Sequence, residues 1–326
     1  MTVLVDAAER YCIYSLGLSD QGAIVRIDIG SGKQRRFAFG RANHLSVHQG
    51  DGEVFSVVHH HRGGETLIVD IRSFEHPERP LAELHLDGSE EVDHSAFRGD
   101  PQMWARVPEG YVAYYAPRQQ VADYRFISID LHGRKASAQR LSWFDDSFDR
   151  DYQPPSSATR VPRGFEGVKE APDLVAIAVQ RVSHLYLYSP AAGRLVRKVE
   201  LAGRHGDGSA PLFVTTRREA WVTDYDTLCR LDSDWRVVDA QRLEQDRHGG
   251  RMFIGWISLS PDSATCLVPR PGSGDVLGIS TTTGKVVGKA ALGREPLDAI
   301  LLSTGVVFAR DWKTGDVLRG RLVAAE

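Results

Sequence analysis

Short runs of Val, Ile, Leu, Tyr and Phe alternate with polar residues along this chain and break at close intervals on Gly, Asp, Asn, Ser or Pro. Apolar–polar alternation over about four to eight positions is the pattern of a strand with one buried face, and the breakers are turn formers. Ile24–Ile29 alternates, meets Gly30-Ser-Gly-Lys33 and resumes at Gln34–Phe39. That order predicts strand, tight turn, strand, with glycine supplying the positive φ such a turn needs. Thr66–Ile71, Phe126–Leu131, Leu185–Tyr188 and Val276–Ile279 repeat the arrangement. No segment carries a long helical period, so the expected class is all-β.

The runs also recur at a distance. Asp28, Asp70, Asp130, Ser189, Asp232 and Ser280, each read as the last strand residue before its turn, are 42, 60, 59, 43 and 48 residues apart. A further unit follows from direct alignment, since Gly274-Asp-Val-Leu-Gly-Ile279 matches Gly315-Asp-Val-Leu-Arg-Gly320 at a shift of 41. Leu4–Ile29 similarly matches Leu45–Ile71 with one gap. Repeats of about 40–50 residues with four strands each are the mark of propeller blades, whose radial arrangement leaves few long strand edges open. The expected fold is therefore a seven-bladed β-propeller of four-stranded antiparallel blades in a single domain spanning residues 1–326. The expected blades cover about 2–40, 43–86, 103–143, 157–201, 211–243, 252–292 and 297–326. The last unit ends near Leu322-Val-Ala324 without a clear fourth strand, so no clasp between the two ends of the chain is evident.

Some of these units resemble known repeats. Ile257-Ser-Leu-Ser-Pro-Asp262, Thr265–Val268, Val276–Ile279 and Thr283-Gly-Lys-Val-Val287 are similar to a YVTN-type propeller repeat. Arg204-His-Gly-Asp-Gly208, Ala220–Tyr225 and Cys229-Arg-Leu-Asp232 resemble an NHL-type repeat. The resemblance is clear over the C-terminal third and loose elsewhere. It implies a fold and no reaction, because such propellers include interaction modules, lyases, lactonases and subunits of redox enzymes.

Composition narrows the functional classes. With 42% hydrophobic and 25% charged residues, the chain has the make-up of an ordinary globular protein. A formal net charge of -3 gives no basic excess for a nucleic-acid backbone. No apolar run approaches the length of a membrane-spanning helix, and the first residues lack a signal-peptide pattern. Cys12, Cys229 and Cys266 are far apart and form no CxxC pair. A reduced, cytoplasmic protein with neither nucleic acid nor membrane as partner is expected. The elbow around a nucleophilic serine, the phosphate-cradling P-loop and the dinucleotide glycine motif are all absent.

Chemistry is then expected where several blades deliver side chains to one face: the links between blades and the loops joining second and third strands. Eight of the twelve histidines fall between His44 and His94. His59, His61, His94 and Asp93 make a candidate divalent-metal site, with His61, His94 and Asp93 as its catalytic members. Neutral imidazole and carboxylate suit such an ion, and an open coordination position would activate a water. Arg41, Arg204, Arg251 and Arg294 lie near the starts of innermost strands, where planar guanidinium groups would recognise a carboxylate or phosphate. His44, Arg98 and Trp104 complete the candidate ligand-binding set, Trp104 standing beside one of the two long links, 87–103 and 144–160. The remaining tryptophans, Trp312 among them, are expected to pack between blades. The leading expectation is a binding scaffold for a protein partner or small anionic ligand, without a required cofactor. The alternative is a metal-assisted lyase or hydrolase on the same face.

Overall fold

A computed structural model describes residues 3–16, 22–39, 42–49, 53–61, 67–86, 103–107, 110–115, 125–130, 135–140, 155–161, 174–179, 184–189, 194–201, 213–214, 219–224, 226–244 and 254–325. These form strands and turns, with no helix among them. The chain divides into two compact units, Met1–Asp100 and Pro101–Glu326.

The first unit holds two antiparallel sheets, each built from strands consecutive in sequence. One contains β1 (Leu4–Val5), β2 (Tyr11–Leu16), β3 (Ala23–Asp28) and β4 (Gln34–Ala38). The other contains β5 (Ala42–Gln49), β6 (Val54–His61), β7 (Leu67–Ser73) and β8 (Pro80–Leu86). Leu4, Ile13, Ile24, Val47, Phe55, Val57 and Phe74 form their common core. The Phe55 and Phe74 rings meet tilted at 5.1 Å, within the range aromatic pairs favour.

The second unit repeats the plan. Its sheets are β9 (Met103–Val107) to β12 (Lys135–Arg140), with β10 (Gly110–Tyr115) and β11 (Arg125–Asp130) between. Next come β13 (Pro155–Val161), β14 (Leu174–Val179), β15 (His184–Ser189) and β16 (Arg194–Glu200). These are followed by β17 (Phe213–Val214), β18 (Ala220–Asp224), β19 (Thr227–Leu231) and β20 (Val237–Arg242). A five-stranded sheet contains β21 (Ser258–Leu259), β22 (Thr265–Arg270), β23 (Asp275–Ser280), β24 (Val286–Ala291) and the distant β28 (Val323–Ala324). The last sheet has only β25 (Pro296–Leu301), β26 (Val306–Asp311) and β27 (Val317–Arg321). The shift of 41 read from the sequence maps β22 onto β26 and β23 onto β27.

Strand periodicity explains how one sheet serves two cores. In β18, Ala220 and Val222 join a cluster with Leu185, Leu187 and Trp235, while Trp221 between them joins the cluster of Val268, Leu277 and Ile279. In β22, Cys266 and Val268 face one way and Leu267 the other, towards Ala299, Val307 and Ala309. Residues of consecutive sheets thus share apolar layers, the aligned face-to-face packing that strongly apolar strands demand. All three cysteines are buried.

Turns follow the side chains that start them. Asp28 Oδ1 accepts from the Ser31 N–H at 2.8 Å and its hydroxyl at 2.9 Å, and Gly32 takes φ 70°. Between β23 and β24, Ser280 and Gly284 (φ 70°) occupy the same places. Asp70 does not belong to this series. It is an interior residue of β7, which runs on to Ser73, and it is the Ser73 hydroxyl that accepts the His76 N–H at 2.9 Å.

The last strand departs from the plan. After β27 the chain leaves its own sheet, and β28 pairs with β24, Val323 opposite Lys289 and Ala324 opposite Gly288. The crossing is cut into the sequence by two glycines. A Cβ at Gly278 would lie 2.9 Å from Leu322 Cδ2, and one at Gly288 2.9 Å from Leu322 Cγ. Leu322 packs closely on both positions because they lack side chains, and at Gly288 the Val323 carbonyl oxygen is as near.

Candidate functional site

Because each sheet is an antiparallel meander, the turn between its second and third strands and the link to the next sheet emerge at the same end. In the last two sheets that end is described in full, and it is one connected structure. Gly274 (φ 67°) closes the turn between β22 and β23, and its carbonyl accepts from the Leu292 and Gly293 N–H groups at 2.9 and 3.0 Å. A Cβ at Gly274 would stand 3.0 Å from the Arg294 carbonyl oxygen. The turn and the link are thereby stitched together. Beneath them Asp275 is buried and receives Arg270 in bidentate form, at 2.8 and 2.7 Å, and Lys289 Nζ at 2.8 Å. Two cations around one buried carboxylate give the fixed, charge-assisted geometry that holds a turn in place.

The equivalent turn between β26 and β27 is organised by Asp311. Its Oδ1 accepts the Lys313 and Thr314 N–H groups at 2.9 and 2.8 Å, and its Oδ2 accepts the Glu295 N–H at 3.2 Å. Burial pushes the Asp311 carboxyl up, but the N–H groups of Thr314, Glu295 and Lys313 outweigh it and hold the group below the ordinary carboxylate range. The link answers in kind: the Trp312 N–H donates to the Glu295 carbonyl at 2.8 Å, and Lys313 Nζ reaches Glu295 Oε1 at 2.5 Å. Arg294 Nη1 meets Asp316 Oδ2 at 2.9 Å, both side chains being exposed. Lys313 thus follows Trp312 on the turn and Arg294 lies on the link bonded to it, and Trp312 is 43% exposed. An exposed aromatic residue next to the ion-paired Lys313, on a carboxylate-braced turn, is suited to binding. Trp312 was expected in a core; it is exposed because it occupies the second position of this tight turn, where side chains project outward. Its signal was in the sequence, since the 41-residue shift puts Trp312 opposite Pro271 in a turn rather than in a strand.

A further acid–base pair joins β25 and β26. Asp298 of β25 and Arg310 of β26 are direct cross-strand partners, both buried, with Nε 3.5 Å from Oδ2. Desolvation pushes the Asp298 carboxyl up and Arg310 pulls it partly back.

In the first unit the candidate metal residue His59 is engaged elsewhere. Its Nε2 is 3.2 Å from Asp70 Oδ2, and both residues are buried. Arg72 completes the group, with Nε 3.0 Å from the same oxygen, Nη2 also against it, and Nη1 donating to the Pro77 carbonyl at 2.7 Å. Phe39 packs on both, its ring 5.3 Å from the His59 ring and 4.4 Å from Arg72 Cζ. Burial raises the Asp70 carboxyl, yet the His59 and Arg72 contacts prevail and leave it below its usual range.

The other sequence candidates divide in two. Arg41, Asp93, His94, Arg98, Arg204 and Arg251 lie outside the described residues. His44, His61 and Trp104 lie on strands: His44 is the cross-strand partner of His60 beside a bulge, His61 faces Ala42, and Trp104 pairs with Ala113. Their side chains are outside the described part. Arg294 alone of the arginine set is described to its guanidinium. Among the described residues no group of three or more His, Cys, Asp or Glu is placed to hold a metal ion, and no helix is long and apolar enough to cross a membrane.

No protein-family model and no curated protein matches the chain. Solved structures do. The Cps50 (Swd1) beta-propeller domain of Myceliophteria thermophila is similar over 100% of this chain and 96% of its own, with TM-score 0.61 and 10% identity. The fold is a β-propeller. The structure of U3-55K is likewise similar over 98% of this propeller and 94% of that chain, at TM-score 0.65 and 10% identity. At such low identity the likeness describes architecture and leaves the chemistry to the residues. The four-stranded sheets of this propeller are its blades, and the Trp312 cluster sits where links and second-to-third strand turns of two blades converge.

Proposed function

We propose that this propeller is a non-catalytic binding scaffold of the YVTN/NHL type, with seven blades, that holds a protein partner or small anionic ligand on the face where blade links emerge. The carrying observation is the cluster of Arg294, Trp312 and Lys313 on a turn braced by Asp311 and Glu295. An exposed tryptophan bonded through its backbone to the link that carries Arg294 has the composition of an interface anchor. Arg41, His44, Arg98, Trp104, Arg204 and Arg251 are the further residues proposed to bind the ligand. Three buried cysteines, none of them in a CxxC pair, accord with a reducing, cytoplasmic setting.

The test is affinity capture with the untagged protein, comparing wild type with a Trp312→Ala, Arg294→Glu double variant. Loss of the captured partner or anion with an unchanged melting curve supports this reading. Retention of the same partner by the variant removes the rim from it.

A second reading, a metal-assisted lyase or hydrolase, draws on the register that sets His60 opposite His44 and His61 opposite Ala42 at one end of the β5–β6 pair. His61, His94 and Asp93 would be its working groups, and His59 would join only by giving up its contact with Asp70. About one equivalent of divalent metal per chain in untagged protein, lost in His94→Ala, is the outcome that favours it.

A further inference from the structure

Among the described residues, six sheets have four or five strands and the last has three, so β27 ends its sheet with an unpaired edge. A strand edge presents alternate N–H and C=O groups that another extended segment can pair with. In this chain the natural candidate for that place is the segment that follows β27, and it goes elsewhere. Leu322 is seated against Gly278 and Gly288, and β28 is hydrogen-bonded to β24. The chain's own tail is thus held off the edge by packing.

The edge carries a charge signature. Arg319 and Arg321 occupy alternate positions of β27, both exposed, and neither has an ion-pair partner among the described residues. Side chains directly opposite on neighbouring strands interact, opposite charges favourably and like charges unfavourably. A second copy of β27 laid against the first would set arginines beside arginines. Carboxylates at alternate positions of an incoming strand would instead meet both. The sister fourth strands show what the other positions need: β4 buries Phe37 between exposed neighbours, and β24 alternates buried Gly288 and Ala290 with exposed Val287 and Lys289.

We propose that the edge of β27 takes up an extended segment of a partner protein, alternating acidic and apolar residues, as the fourth strand of the last sheet. Main-chain pairing supplies affinity, and the Arg319/Arg321 pair selects acidic partners. This surface is separate from the Trp312 cluster, so its fate does not depend on that reading.

The probe is a synthetic peptide alternating valine with glutamate, added to the full chain. Controls are a peptide alternating valine with lysine, and the glutamate peptide with prolines in place of its valines, which keeps the charge but lacks ladder donors. Fluorescence anisotropy reads affinity, and hydrogen–deuterium exchange reads residues 317–321. The glutamate–valine peptide should saturably slow exchange at 317–321 and bind about tenfold tighter than the lysine peptide. The Arg319→Glu, Arg321→Glu variant, altered only at exposed positions, should reverse that preference with an unchanged melting curve. Equal binding of the proline peptide would reduce the effect to charge alone and overturn the proposal. No slowing at millimolar peptide overturns it too, leaving the arginines as guards against aggregation. Protection of 317–321 that appears with protein concentration and without peptide would give the edge to a second copy, which also sinks the idea.

Discussion

At Asp70 two opposed effects meet inside the protein. Removing a carboxylate from water costs several kcal/mol, and contacts from His59 and Arg72 more than recover it, so the group stays charged below its ordinary range. Asp70→Asn keeps the shape but leaves Arg72 buried without a counter-charge, and a loss of about 3–5 kcal/mol is expected from urea unfolding at neutral pH. The pH dependence follows from the sign of the shift. The folded value lies below the unfolded one, about 3.9, so the stabilisation is fully present above that value and is lost as pH falls through the folded value. Wild type and variant should therefore converge in acid, and a constant gap between them down to low pH would contradict this account. Asp311 obeys the same sign, and Asp311→Asn is expected to cost about 1–2 kcal/mol at neutral pH from weakened N–H contacts. Trp235 shows a different contest. Its φ of 60° is left-handed, a conformation that costs an L residue about 1–2 kcal/mol, yet its side chain is almost wholly buried. Removing a buried tryptophan costs about 3–5 kcal/mol, so Trp235→Gly should destabilise despite relieving the backbone.

Among elements, the turns were the most legible part of the sequence. Asp28 with Gly32 and Ser280 with Gly284 could be read as strand–turn–strand because local side chains and a left-handed glycine decide them. The 41-residue match likewise located β23 and β27 as counterparts. Asp70 misled because Asp70 and Arg72 look like the polar end of an apolar run, whereas they neutralise each other inside the strand. The β28 crossing could not be read at all: it depends on Leu322 meeting two glycines more than thirty residues earlier, and no local pattern records that. Gly288→Ala tests the crossing, since its Cβ would stand 2.9 Å from both Leu322 Cγ and the Val323 carbonyl oxygen. Faster hydrogen exchange at 323–325, with β21–β23 unaffected, is the expected result; unchanged protection there would show that the glycine is dispensable.

For the molecule as a whole, repetition made the propeller legible while leaving its site nearly silent. Period and alternation are properties of many residues at once, and a few local exceptions do not erase them. A binding face is built from single residues on links, and Trp312 differs from a core tryptophan only by standing one position past a strand. The rim prediction belongs at this scale: truncating Trp312 should weaken partner binding by about 2 kcal/mol or more and barely move the melting temperature, because Trp312 is exposed on a turn and belongs to none of the described core clusters. The crossing of β28 matters here as well. It encloses β25, β26 and β27 in a loop whose two ends, β24 and β28, are joined by hydrogen bonds. The final blade is strapped to the blade before it, and cannot open without peeling its neighbour's outer strand. Native-state exchange should then report these two blades as one cooperative opening unit rather than two.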